Sequence, residues 1–152
     1  QNKASFNAKN NTTVTGMQYK AAEGFTLAFQ NGWDKEAYTN GKIWQVATLR
    51  PGKYRLEVTY AYTMVVSDVG NFISALMAKG NSESDIPNVA DIEQLNGVCA
   101  IYDKAGTNDD SGILVTPSFE VTETTDVVIG FLTSLAKGNS YFKVTELKLI
   151  LE

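Results

Sequence analysis

Residues 40–62, N-G-K-I-W-Q-V-A-T-L-R-P-G-K-Y-R-L-E-V-T-Y-A-Y, decide the fold class. They read as strand, tight turn, strand, a β-hairpin. Asn40-Gly41 is a turn dipeptide that starts the first run, and Arg50-Pro51-Gly52-Lys53 is the second turn. Pro51 presets φ at the first central position, and Gly52 is expected to supply the positive φ of a type II turn at the next. After the turn, Tyr54, Leu56, Val58 and Tyr60 alternate with Arg55, Glu57, Thr59 and Ala61, the period of a half-buried antiparallel strand. Residues 42–49 are apolar on both parities, which predicts a strand buried on both sides.

Outward from this stretch the pattern repeats. Residues 14–19 and 24–30 predict two earlier strands, the second with Phe25, Leu27 and Phe29 on one face. Residues 71–79 predict a strand apolar on both faces. The polar connection 80–97 holds a short helical turn, with Asn88 at its N-cap, Asp91 in its first turn and Val89, Ile92 and Leu95 at helical spacing. Strands follow at 98–102, at 112–122 with Ile113, Val115, Phe119 and Val121 on one face, at 127–134 with Val127, Ile129 and Phe131 inward, and at 141–151. Pro117 marks an edge or a bend. In the last strand Phe142 and Val144 share one parity while Leu147, Leu149 and Leu151 share the other, so a β-bulge near Thr145-Glu146 is expected. Many short strands with almost no helix predict an all-β antiparallel sandwich. The Asn-rich residues 1–13 are expected to be a flexible lead-in, and 14–152 a single domain.

Composition narrows the function. The 152-residue chain carries a net charge of −4, the wrong sign for a protein that binds nucleic acid through a basic footprint. It has no histidine and one cysteine, Cys99. Ser-His-Asp and Cys-His hydrolysis, His-ligated zinc and an intrachain disulfide are therefore excluded. A glycosidase would need two facing carboxylates, and Glu57 and Glu120 sit on solvent parity with nothing to bring them together. A non-enzymatic role is expected, with no cofactor. Cys99, on an apolar strand, reads as a small hydrophobe. No run approaches the length of a transmembrane helix, and no signal peptide precedes Gln1, which suggests a mature or excised piece of a longer protein.

The string N-G-K-I-W-Q-V-A-T-L-R-P-G-K-Y-R-L-E-V, the loop S-D-I-P-N and the ending G-N-S-Y-F-K-V-T-E-L-K-L resemble the galactose-binding-like jelly-roll domains of secreted and surface lipoproteins of gut Bacteroidetes. The resemblance runs from about Trp33 to Leu151. It implies a galactose-binding-like jelly roll, outside the cytoplasm at the surface of a Gram-negative cell, attached to other domains of a larger protein that handles polysaccharide. It also implies a structural calcium, bound in related domains by a carboxylate of the last strand, here Glu146.

Sugar-binding sandwiches set aromatic faces against pyranose C–H groups and flank them with amides and carboxylates. Residues 31–40 offer Trp33 and Tyr38 with Asp34 and Asn40, and Asn139 and Tyr141 could join them from the same end. Trp33 could instead plug the sandwich as a core aromatic. Trp44 reads as core, or as an aromatic on a concave face, and Tyr60 and Tyr62 project to one face. The expected function is carbohydrate binding or surface adhesion. The alternative is a structural or protein-interaction module without sugar binding.

Overall fold

The computed structural model describes residues 6–7, 16–20, 26–31, 37–66, 70–104, 109–136 and 140–152. They form β1 (Phe6–Asn7), β2 (Gly16–Lys20), β3 (Thr26–Asn31), β4 (Tyr38–Leu49), β5 (Gly52–Thr63), β6 (Phe72–Lys79), β7 (Gly97–Ile101), β8 (Asp110–Val115), β9 (Phe119–Val121), β10 (Thr125–Leu135) and β11 (Ser140–Leu151). One sheet runs β1-β2-β3-β11-β5-β8, with β9 also on β5; the other runs β4-β10-β6-β7. All pairings are antiparallel except the short one between β1 and β2. The order β3-β11-β5-β8 facing β4-β10-β6-β7 is that of a jelly roll. No helix among the described residues is long and apolar enough to cross a membrane.

This topology overturns the hairpin. β4 and β5 lie in different sheets, so Arg50-Pro51 carries the chain across the sandwich. A tight turn fixes a reversal of direction, not which neighbour the next strand takes. Gly52 does not have a positive φ. It opens β5, where a Cβ would lie 2.8 Å from Leu151 Cδ1 and 3.3 Å from the Tyr54 ring. The Tyr54 hydroxyl donates to the Arg50 carbonyl at 2.8 Å and ties the corner back to its strand. Nor is β4 buried on both sides. It is the edge of its sheet, with Val46 exposed.

Between the sheets, the alternating residues of β5 pack as expected, with Tyr54, Leu56, Val58 and Tyr60 all buried. Phe29, Phe131 and Phe142 fill one half of the core, and Met77, Phe119 and Ile129 the other. β6 and β10 are buried on both faces because residues 80–96 fold over the outside of their sheet. Two 3-10 turns, Glu83–Asp85 and Val89–Gln94, carry this cover. Val89, Ile92 and Leu95 pack there with buried Ile86 onto Leu76, Val128 and Leu132, alongside half-buried Trp44 and Cys99. Burying Ile86 contributes about 2 kcal/mol. Burial also pushes the Cys99 thiol up, away from reactive thiolate. The Lys42 ammonium, in a buried residue, donates to the Ile86 carbonyl at 2.6 Å and pins the cover to β4.

The bulge in β11 is present: the pairing shifts between Val144↔Tyr60 and Glu146↔Thr59, which turns Leu147, Leu149 and Leu151 to the same side as Val58, Leu56 and Tyr54. Pro117 lies in the break between β8 and β9 at a sheet edge. That break separates Phe119 and Val121, which are buried, from Ile113 and Val115, which face solvent instead of sharing their face.

Candidate functional site

The ends of β3, β5, β7 and β10 and the starts of β4, β6, β8 and β11 meet at one end of the sandwich. Two bulges shape the described part of this end. In β4, Thr133 pairs with Gly41 but Leu135 with Tyr38, so Thr39 and Asn40 together face one residue of β10. Asn40-Gly41 therefore makes a bulge, not a turn. In β5, Tyr60 pairs with Gly112 but Thr63 with Asp110, so Ala61 and Tyr62 together face Ser111.

Each bulge holds a left-handed residue. Asn40 has φ 53° and Tyr62 has φ 52°; Asp109, at φ 56°, is the third such non-glycine among the described residues. Asn and Asp tolerate this conformation, whereas a bulky aromatic pays about 1–2 kcal/mol for it. Tyr62 is nevertheless 64% exposed. Its N–H donates to Ser111 Oγ at 3.4 Å. The bulge also separates it from Tyr60, which turns inward and is buried, so the two do not share a face.

On the inner side of the same ladder, where Asp110 pairs with buried Thr63, lies a polar cluster. Tyr102 Oη donates to Asp110 Oδ2 at 2.9 Å, and Lys104 Nζ lies 3.3 Å from Tyr60 Oη and 3.4 Å from Asp110 Oδ2. Burial alone would raise the Asp110 carboxyl, but the Tyr102 hydroxyl and the Lys104 ammonium hold it below its ordinary value. The Tyr60 hydroxyl and then Asp110 raise the Lys104 amine. Both groups therefore stay charged at neutral pH. Behind them Tyr60, Tyr102 and Phe142 form a closed ring cluster with centroids 5.1–5.3 Å apart. Tyr141 is half-buried, bonds through its backbone to Met64 in both directions, and carries Lys143 Nζ 5.2 Å from its ring centroid.

The residues expected to bind sugar divide three ways. Trp33, Asp34 and Asn139 lie outside the described residues. Tyr38 is core, with its hydroxyl bonded to Thr133 Oγ1 at 3.1 Å and pushed by burial well above the ordinary phenol range, so its ring offers no stacking face. Asn40 is structural on the described contacts: its Oδ1 accepts from Val89 N–H at 2.8 Å and its own N–H donates to Ser134 Oγ at 3.0 Å. Tyr141 alone of the expected aromatics is both described and partly accessible. Glu146 stands at its bulge, paired with Lys148 at 2.9 Å, and both are half-exposed. Among the described residues no group of three or more Asp, Glu, Cys or His side chains is placed to hold a metal.

Hollows lined by described residues lie elsewhere. A cleft of about 310 Å³ opens between the sheets beside Leu27, Ile43, Trp44, Ile129 and Leu147. A polar groove of about 350 Å³ runs along the 3-10 cover, between Lys79, Asp85, Asp91, Gln94 and Asn96. The first has few groups to read hydroxyls, and the second has no aromatic among its described lining residues.

Residues 1–130 match the family model of the domain of unknown function DUF5013. The chain belongs to this family. The matched span stops within β10, yet β11 stands between β3 and β5, so the described fold requires the residues that follow. Neither the curated proteins nor the solved structures give a match.

Proposed function

We propose that this chain is a non-catalytic carbohydrate-binding module, a galactose-binding-like jelly roll displayed at a bacterial surface within a larger protein. Its glycan site is the end of the sandwich that carries Tyr62. The observation that supports this most is the Tyr62 ring, held in solvent by a backbone conformation that costs stability. Strain of this kind persists where a side chain has to be presented. A pyranose would lay its C–H face on the ring while Ser111, opposite Tyr62 in the bulge, engages its hydroxyls. The test is a glycan array in calcium-containing buffer with wild type and Tyr62→Gly. Glycans retained by the wild type and lost by the folded variant support the site; a blank array for folded wild type removes the reading.

One observation favours a protein-interaction module instead. Among the described residues, residues 146–151 of β11 pair only with β5, since the described pairing with β3 runs no further than Leu27 opposite Val144. Leu151 there is 63% exposed. An exposed leucine beside a strand edge that no described strand pairs is a docking feature. Retained partner binding that Leu151→Glu abolishes, together with a blank array, would favour this reading.

A further inference from the structure

We infer that β8 is a self-association edge: two copies of this chain pair β8 against β8, antiparallel about a two-fold axis at Ile113, and join their larger sheets into one. The inference stands on β8 and does not depend on the glycan reading.

β8 ends its sheet and, among the described residues, pairs only with β5. Its ladder shows which backbone groups are left over. Thr116 N–H donates to the Leu56 carbonyl at 3.1 Å. Bonded and non-bonded pairs alternate along an antiparallel ladder. Leu114 and Gly112, paired with Val58 and Tyr60, therefore turn their backbone groups toward β5. Those of Ile113 and Val115, and by the same alternation Ser111, point out of the sheet.

The side chains suit a partner strand. Ser111, Ile113 and Val115 share the outer face, with Ile113 61% and Val115 45% exposed. Natural edges are guarded by lysine, proline, a bulge or an inward-pointing charge. From Ser111 to Val115, S-G-I-L-V, β8 has no charged residue and no proline, and the extra residue of the nearby bulge belongs to β5. The strand that fits such an edge is uncharged with apolar side chains at alternate positions, and the chain supplies one in β8 itself. A two-fold axis through Ile113 sets Ile113 against its copy and Ser111 against the other copy's Val115, a self-complementary register. Asp110, the one charged residue of β8, then comes opposite Thr116 and not its own copy. The net charge of −4 therefore brings no like charges together along the paired strands. The paired edge is short, so the dimer belongs to the weak, transient class.

The test is sedimentation equilibrium of wild type and Ile113→Lys, with circular dichroism to check that the variant folds. The expected result is a mean mass that rises from monomer toward dimer between about 10 μM and 1 mM. Ile113→Lys should weaken the association by about tenfold or more, because two ammonium groups would meet on the axis. Register is tested with Ile113→Cys and Leu151→Cys, each in a Cys99→Ser background. Directly bonded residues of an antiparallel pair have Cα atoms about 5.5 Å apart, within the span of a disulfide. Under mild oxidation Ile113→Cys should therefore cross-link to its copy, and much faster than Leu151→Cys. A wild type that stays monomeric across the range would overturn the inference and leave this edge to a strand of another protein. So would a dimer that folded Ile113→Lys retains in full. Faster cross-linking through Leu151→Cys would overturn it as well, moving self-association to β11.

Discussion

The left-handed backbone at Tyr62 makes a prediction whose sign is opposite to the ordinary one. Replace Tyr62 with Ala and, separately, with Gly. Both variants lose the same ring, so the contribution of its 36% buried part cancels in the comparison (100% less the 64% exposed). At a normal strand position Gly is less stable than Ala by about 0.5–1 kcal/mol, because it loses more backbone entropy on folding. At φ 52° the order changes. Ala still carries the Cβ that costs about 1–2 kcal/mol in the left-handed region, and Gly does not. The difference leaves Tyr62→Gly more stable than Tyr62→Ala by about 0.5–1 kcal/mol, roughly 1–4 °C in the thermal midpoint at this chain length. Urea denaturation of the pair, with equal slopes, measures this directly. Both variants should lose glycan binding equally, since stacking belongs to the ring. If Ala equals or exceeds Gly in stability, the backbone is not strained at Tyr62 and the argument from strain to function fails.

Other consequences follow from single contacts. A Cβ on Gly130 would lie 2.2 Å from the Ile43 carbonyl oxygen and 2.8 Å from Trp44 Cα; Gly130→Ala must push β4 off β10 and should cost about 3 kcal/mol in denaturant unfolding. Asn40→Gly keeps the left-handed bulge but loses the bond from Val89 N–H, for a cost of about 1 kcal/mol; Asn40→Ala adds the strain and should cost about 2–3 kcal/mol by the same assay. The Asp85 carboxyl is held below its ordinary value, first by the Ser82 N–H and then by the Ser82 hydroxyl, with Asn81 N–H adding to them. A depressed folded value means that its stabilisation is present above the unfolded carboxylate range, near about 3.9, and is lost as pH falls through the folded value. Asp85→Asn should therefore be less stable than wild type at neutral pH and converge with it in acid; parallel curves across that range would contradict the assignment.

The strands were legible because their signal is local. Alternation along residues 54–60 marked the inner face of β5, and the change of parity between Val144 and Leu147 revealed a bulge, which packs Leu147 against the core while Leu149 and Leu151 stay exposed. Sheet assignment was not legible. Pro51-Gly52 shows that the chain turns, but crossing to the other sheet depends on β10 and β11 taking the neighbouring positions, far along the sequence. Tyr38 carried no burial signal because its partner, Thr133, is equally distant. Tyr62 was hidden for a different reason. Tyr60 and Tyr62 keep an unbroken two-residue period, and no Gly or Asn announces the bulge between them. The polar cluster at Asp110 gave little sign either, because Tyr102 and Lys104, which hold it, follow a different strand.

The most direct measurement of the central claim is chemical-shift mapping of the isotope-labelled domain, titrated with a glycan that it retains on the array. The account predicts saturable shifts concentrated at Tyr62, Ser111 and Tyr141, and their disappearance in Tyr62→Gly. Saturable shifts centred instead on the groove at Asp85, Asp91 and Gln94, or on β11 at Leu149 and Leu151, with Tyr62 unmoved, would contradict it.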